Sequence, residues 1–291
     1  MQETFIKHYA NHLHSHYKPT RGSYKHLRRY LTGANIDFLK LGMDKVERLN
    51  CRYGLSSTSG GFSIGTISAP VNSKSDGLTL FHELGHAIDF IKGSKQDFYT
   101  KKLVLSCGST LHNALKQELK GNLDFIYSYL EDGFNREILG VVPDDIIQPL
   151  LKLAPLDVRE RKLRRVINSR NRVSNCVEIK AEYDDVVAQM KSIGDYFTYY
   201  KAFHKHPAYI EFQRDYGVII DMLALYYPMR SMFAAHSMSY QNRDMGLEFF
   251  AEVYGLHVRN YDVALSHVKA TFPKTYQCFL ELMDYHRLNI S

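Results

Sequence analysis

Residues 78–91, Leu-Thr-Leu-Phe-His-Glu-Leu-Gly-His-Ala-Ile-Asp-Phe-Ile, constrain this chain more than any other stretch. Leu78, Leu80, Phe81, Leu84, Ala87, Ile88, Phe90 and Ile91 leave a helix apolar on most sides, so it belongs inside the fold. The pattern predicts a helix from Leu78 to about Lys92, stopped by Gly93 and Ser94. His82, Glu83 and His86 are drawn into the interior with it. Burying ionisable groups costs free energy unless they are paired or bound to a metal.

The spacing His82-Glu83-Leu84-Gly85-His86 is the motif HExxH. Histidines at i and i+4 lie on one helix face, so both imidazoles reach one metal ion, and the intervening carboxylate projects beside it as a base for a bound water. With 14 histidines and 13 glutamates in 291 residues, about 0.03 such matches arise by chance, so composition does not explain the motif. Two histidines do not complete a zinc site, which takes a third protein ligand and a water. The continuation HExxHxxGxxH is absent. A glutamate from a second helix is the other common solution, and two i, i+4 pairs offer one: Glu178/Glu182 and Glu248/Glu252. The first pair sits among charged residues in Val-Glu-Ile-Lys-Ala-Glu-Tyr-Asp-Asp. The second sits in Leu-Glu-Phe-Phe-Ala-Glu-Val-Tyr-Gly-Leu, where buried carboxylates need a reason to be present. Glu248 is therefore the expected third ligand. Asp89, three residues past His86, either hydrogen-bonds a ligand histidine or faces solvent.

His82-Glu-Leu-Gly-His-Ala-Ile-Asp89, followed by Glu248-Phe-Phe-Ala-Glu252 and by Phe272-Pro-Lys-Thr-Tyr-Gln-Cys-Phe, resembles the catalytic domain of the anthrax lethal factor-like family. That family, which includes the Pro-Pro endopeptidases, consists of zinc metallopeptidases of the gluzincin kind. The resemblance implies one zinc ion held by His82, His86 and Glu248, Glu83 as general base, and Glu252 as an acceptor behind a ligand histidine. It also implies an oxyanion-stabilising tyrosine shortly before the glutamate helix; Tyr240 is the nearest match, one residue further from Glu248 than in the family. The resemblance spans residues 60–92 and 236–285, about a third of the chain. His86 and Glu248 are 162 positions apart, much further than in lethal factor, which implies a large insertion.

Elsewhere the pattern predicts helices over 3–17 and 23–49, a strand or hairpin around Phe62–Ser68, and mostly helix from 94 to 231. That stretch is broken at Gly121, Gly133, Val142-Pro143, Ala154-Pro155, Gly194 and His206-Pro207. A helix over about Leu247–His257, a turn near Asn260 and a helix over about Lys274–Leu288 close the chain. The expected fold is α+β and predominantly helical, with a zincin-like core and small sheet. Residues 1–93 carry the HExxH helix, 94–231 form a helical insertion, and 232–291 carry the glutamate helix.

Composition narrows the function. The net charge of +6 has no block dense enough for a nucleic-acid stripe. The densest run, Arg159–Arg172, reads as a solvated helix face, with an acidic partner as the alternative. Val218–Tyr227, the longest apolar stretch, is too short to span a bilayer. Cys51, Cys107, Cys176 and Cys278 are scattered, which suits free thiols in a reducing compartment. Met1–Arg21 lacks the apolar core of a signal peptide. The expectation is a zinc metalloendopeptidase acting on a host protein, an effector secreted without a cleavable leader and delivered to a host cytoplasm. A housekeeping cytosolic peptidase, a zinc hydrolase of a non-protein substrate and a retired scaffold that binds a partner are the alternatives.

Overall fold

A computed structural model describes residues 2–17, 21–49, 52–55, 61–63, 66–69, 77–91, 97–168, 176–226 and 244–290. The elements in the first part of the chain are α1 (Gln2–Tyr17), α2 (Arg21–Leu31), α3 (Ile36–Leu49), β1 (Arg52–Leu55), β2 (Gly61–Ser63), β3 (Thr66–Ala69), α4 (Leu78–Asp89), α5 (Tyr99–Lys102) and α6 (Leu111–Gly121). They are followed by α7 (Leu123–Glu137), α8 (Asp144–Asn168), α9 (Cys176–Ile193), α10 (Tyr196–His204), α11 (Pro207–Tyr226), α12 (Met245–Arg259), α13 (Asp262–Thr271) and α14 (Pro273–Ile290). The architecture is α+β and predominantly helical. No helix among the described residues is long and apolar enough to cross a membrane.

The chain divides into two compact units, Met1–Leu123 with Ser239–Ser291, and Asp124–Met238. This differs from an insertion beginning at residue 94, because α5 and α6 pack into the first unit. Thr100 bonds Asp89 of α4, Lys101 pairs with Asp244 beside α12, and Glu118 of α6 holds the start of α14. Hydrogen bonds of this kind to distant segments carry no signature in local sequence.

In the first unit α4 is the central helix. Leu80, Phe81, Leu84, Ala87 and Ile88 are fully buried, and α12 answers with Phe249, Phe250, Ala251, Val253 and Tyr254, also fully buried. Each of the leucine, isoleucine, valine and phenylalanine side chains among them contributes on the order of 1.5–3 kcal/mol of apolar burial. Gly85 makes the close approach possible: a Cβ there would lie 2.7 Å from the Cα of Ala251. One edge of α4 is covered by the sheet, whose order is β1-β3-β2, with β3 parallel to β1 and antiparallel to β2. Ile67 and Ala69 of β3 are buried while Thr66 and Ser68 are half-exposed, the alternation of a strand with one covered face. Of the strand or hairpin expected around Phe62–Ser68 the structure has the paired form, two antiparallel strands in register Phe62↔Ile67, with β2 at the edge of the described sheet.

Helix ends explain other departures. The expected helix over 23–49 is two, parted at Gly33, whose φ of 79° suits glycine. α4 stops at Asp89, before the expected Gly93, because Phe90 turns extended and bridges Phe98. In the second unit Gly133 does not break α7; the ring of Tyr216 lies 2.6 Å from where a Cβ would stand, so packing demands the glycine. Pro149 and Pro155 lie inside α8; the fully buried Ile147, Leu150 and Leu153 flank Pro149, and the buried Leu163 anchors the helix beyond Pro155. The basic run on α8 is largely ion-paired, with Arg159 to Glu182, Arg161 to Asp157 and Arg164 to Glu160. Arg170 and Arg172 lie outside the described residues.

Candidate metal centre

The site is built by two helices that cross at Gly85 and Ala251. α4 presents His82 and His86 one turn apart, their rings 4.6 Å between centroids and nearly perpendicular. α12 presents Glu248 from its first turn, 1% exposed. The Nε2 atoms of His82 and His86 lie 3.3 and 3.6 Å from the same oxygen, Glu248 Oε2. Lone pairs of two imidazoles and a carboxylate that face one point at these separations need a cation, or protons on the rings, between them. His82, His86 and Glu248 are the group among the described residues that can hold a metal ion, with one donor atom from each within 4.8 Å of the others. Two imidazoles and one carboxylate are a donor set for a first-row divalent metal.

Glu83 follows His82 on the same helix and is buried. Glu252 lies one turn beyond Glu248 on the same face of α12 and is half-buried. The side chain of His82 is 13% exposed, against 9% for His86 and 2% for Glu248, so solvent reaches the group on the His82 side. Tyr240 lies outside the described residues. Glu178 and Glu182 belong to α9 in the second unit, where Glu178 is exposed and Glu182 half-exposed.

Asp89 takes neither of its expected roles. It is fully buried and not at the surface, and its two oxygens accept from Thr100 N at 2.9 Å and Thr100 Oγ1 at 2.7 Å. His86 Nδ1 is buried with no hydrogen-bond partner among the described residues, so Asp89 is not its acceptor. Burial pushes the Asp89 carboxyl up to about 7, against the opposing pull of the Thr100 bonds and of the Lys45 and Lys101 cations. Asp89 instead ties the end of α4 to α5.

Sequence reasoning also missed the groups that seat α12. Asp244, at its N-cap, pairs with Lys101 at 3.0 Å, and Gly246 N donates to His112 Nδ1 at 3.3 Å, which satisfies one of the orphan donors of the first turn. A Cβ on Gly246 would stand 2.7 Å from His112. Further along, Tyr254 OH donates to Phe38 O at 2.7 Å, and Arg259 Nη1 to Tyr30 O at 3.0 Å. These partners lie up to 229 positions away, and no motif marks them. A search of protein-family models, of curated proteins and of solved structures returns no match to this chain.

Proposed function

We propose that the chain is a zinc metalloendopeptidase of the lethal factor-like kind, with a zincin-like core, whose substrate is a protein of a host cell. The observation that carries the proposal is the convergence of His82, His86 and Glu248 beside a buried Glu83. Zinc held tetrahedrally by nitrogen and oxygen donors at ~2.1 Å sets neighbouring donors about 3.4 Å apart. The 3.3 and 3.6 Å separations match that edge.

Bound there, zinc supplies a Lewis acid that polarises a carbonyl and draws the pKa of water towards ~7. Glu83 accepts the proton of the attacking water and passes it to the departing amine nitrogen. Its burial on the helix of the ligands fixes its position relative to both histidines, so little ordering remains at the moment of reaction. Tyr240 remains the candidate donor to the oxyanion. The edge strand β2 packs beside α4 and offers backbone groups to which an extended substrate can add.

Glu83→Gln is the direct test. The variant binds one equivalent of zinc like the wild type, while cleavage of a peptide library falls by ~10²–10⁴-fold. A Glu83→Gln protein as active as the wild type refutes the mechanism, and a wild type that binds no zinc refutes the metal.

A further inference from the structure

Cys107 lies in the loop between α5 and α6 and is exposed, whereas Cys278 lies in α14 and is 4% exposed. Both are free thiols, yet their sulfurs are 3.4 Å apart across 171 positions of sequence. The junction around them is held on two sides. Glu281 accepts from Ser106 N at 2.6 Å and from Ser106 Oγ at 2.7 Å. Glu118 accepts from Lys274 N, Thr275 N and Thr275 Oγ1. The loop and the helix are therefore clamped together with one thiol reachable from solvent and the other directly behind it.

We propose that Cys107 and Cys278 form a dithiol site that hydrogen peroxide oxidises to a disulfide. Cys107 sulfur attacks one peroxide oxygen, the O–O bond breaks, and the released hydroxide takes the thiol proton and leaves as water. The sulfenic acid so formed is attacked by Cys278 sulfur; the S–S bond forms, the S–O bond breaks, and the second hydroxide leaves as water with the Cys278 proton. Two thiols are oxidised and one peroxide is reduced to two waters. Burial first, then the Cys107 thiol and the Glu281 and Glu118 carboxylates, push the Cys278 thiol up to about 12. The first attack thus belongs to Cys107, and Cys278 is a poor leaving group when a reductant strikes the exposed sulfur. The bridge is a slow staple, not a rapid relay. It locks α14 to the loop between α5 and α6, the helices that hold Asp89 and Gly246 through Thr100 and His112.

The full chain is treated with hydrogen peroxide, alkylated, digested without reduction and mapped by mass spectrometry. A peptide pair joined through Cys107 and Cys278 is expected, with an intact mass lower by about 2 Da, two fewer alkylatable thiols, and reversal by dithiothreitol. The bridged protein melts about 5 °C higher than the reduced one. Cys107→Ser, at an exposed position, keeps the melting temperature of the reduced protein and loses both the cross-link and the shift. Cys278→Ala does the same where it folds. Peroxide treatment that leaves Cys278 alkylatable while Cys107 climbs to sulfinic or sulfonic acid overturns the proposal, as does pairing of either with another cysteine.

Discussion

Two glutamate pairs in this chain share one spacing and have opposite surroundings. On α9 Glu178 is exposed, and the half-exposed Glu182 accepts from Arg159 at 2.9 Å. Glu248 and Glu252 on α12 stand one turn apart in the same way, yet Glu248 is 1% exposed and faces two imidazoles. Water already solvates the first pair, so a cation adds about 0–1 kcal/mol there. In the dry interior Glu248 is costly without a cation, which makes its position a place to hold one. The i, i+4 spacing supplies a shared face; burial decides what that face does.

The largest effect expected from breaking this contrast is at Glu248. Glu248→Gln keeps the volume and removes the charge, so zinc affinity falls by roughly 10³-fold. Titration against a competing chelator measures it, and wild-type affinity in the variant would make the two pairs equivalent. Next comes the contact that lets the buried pair reach the histidines. Gly85→Ala places a methyl 2.7 Å from Ala251 Cα, backbone that cannot rotate away, and costs ~2–4 kcal/mol in urea unfolding. A loss under ~1 kcal/mol would show that α4 and α12 can separate without penalty.

Acid sharpens the contrast between a dry core and a solvated face. Burial, then Lys269 and Arg287, hold the His257 imidazole down to about 4; it is sandwiched between Phe38 and Phe279 and bonded to Tyr276 at 2.9 Å. Burial, then Lys45, holds His286 down to about 3. A depressed histidine means that the unfolded chain takes up its proton first. The stability is therefore present above about 6.5 and is lost as pH falls towards 4, by roughly 3 kcal/mol for His257. Urea unfolding of metal-free protein at pH 7 and pH 4.5 measures this loss, and His257→Asn reduces it; a flat profile would contradict the burial. Glu182→Gln is the smallest change, within ~0.5–1 kcal/mol, and leaves zinc binding untouched. A larger loss would mean that the exposed pair carries structure after all.

Much of the helical content was legible, because periodicity and punctuation act locally. α12 ends at Asn260 in the left-handed region, φ 55°, where a turn was expected. Pro207 and Pro273 open α11 and α14 at the position where a missing N–H costs nothing. The same local rules misjudged Gly133 and Pro155: a buried ring decided the first, and α8 runs through the second with buried leucines, Leu153 and Leu163, on either side. The strand or hairpin around residue 62 was visible, but the parallel pairing of β1 that makes β3 the central strand was not. Asp89 read equally well as a histidine partner or a surface group, and Thr100, eleven positions on, decided against both.

His82, Glu83 and His86 owe their common face to one turn of one helix, so their relation is a property of the sequence itself. Glu248 stands 162 positions beyond His86, and its apolar neighbours argue for burial without saying against what. That answer required Gly85 to meet Ala251 and α12 to be seated by Asp244 and Gly246 on α5 and α6. Spacing within a helix is set by backbone geometry, whereas the meeting of two helices is set by packing between residues that share no local pattern. For the same reason the closeness of Cys107 and Cys278, which composition alone read as scattered thiols, exists only in the folded chain.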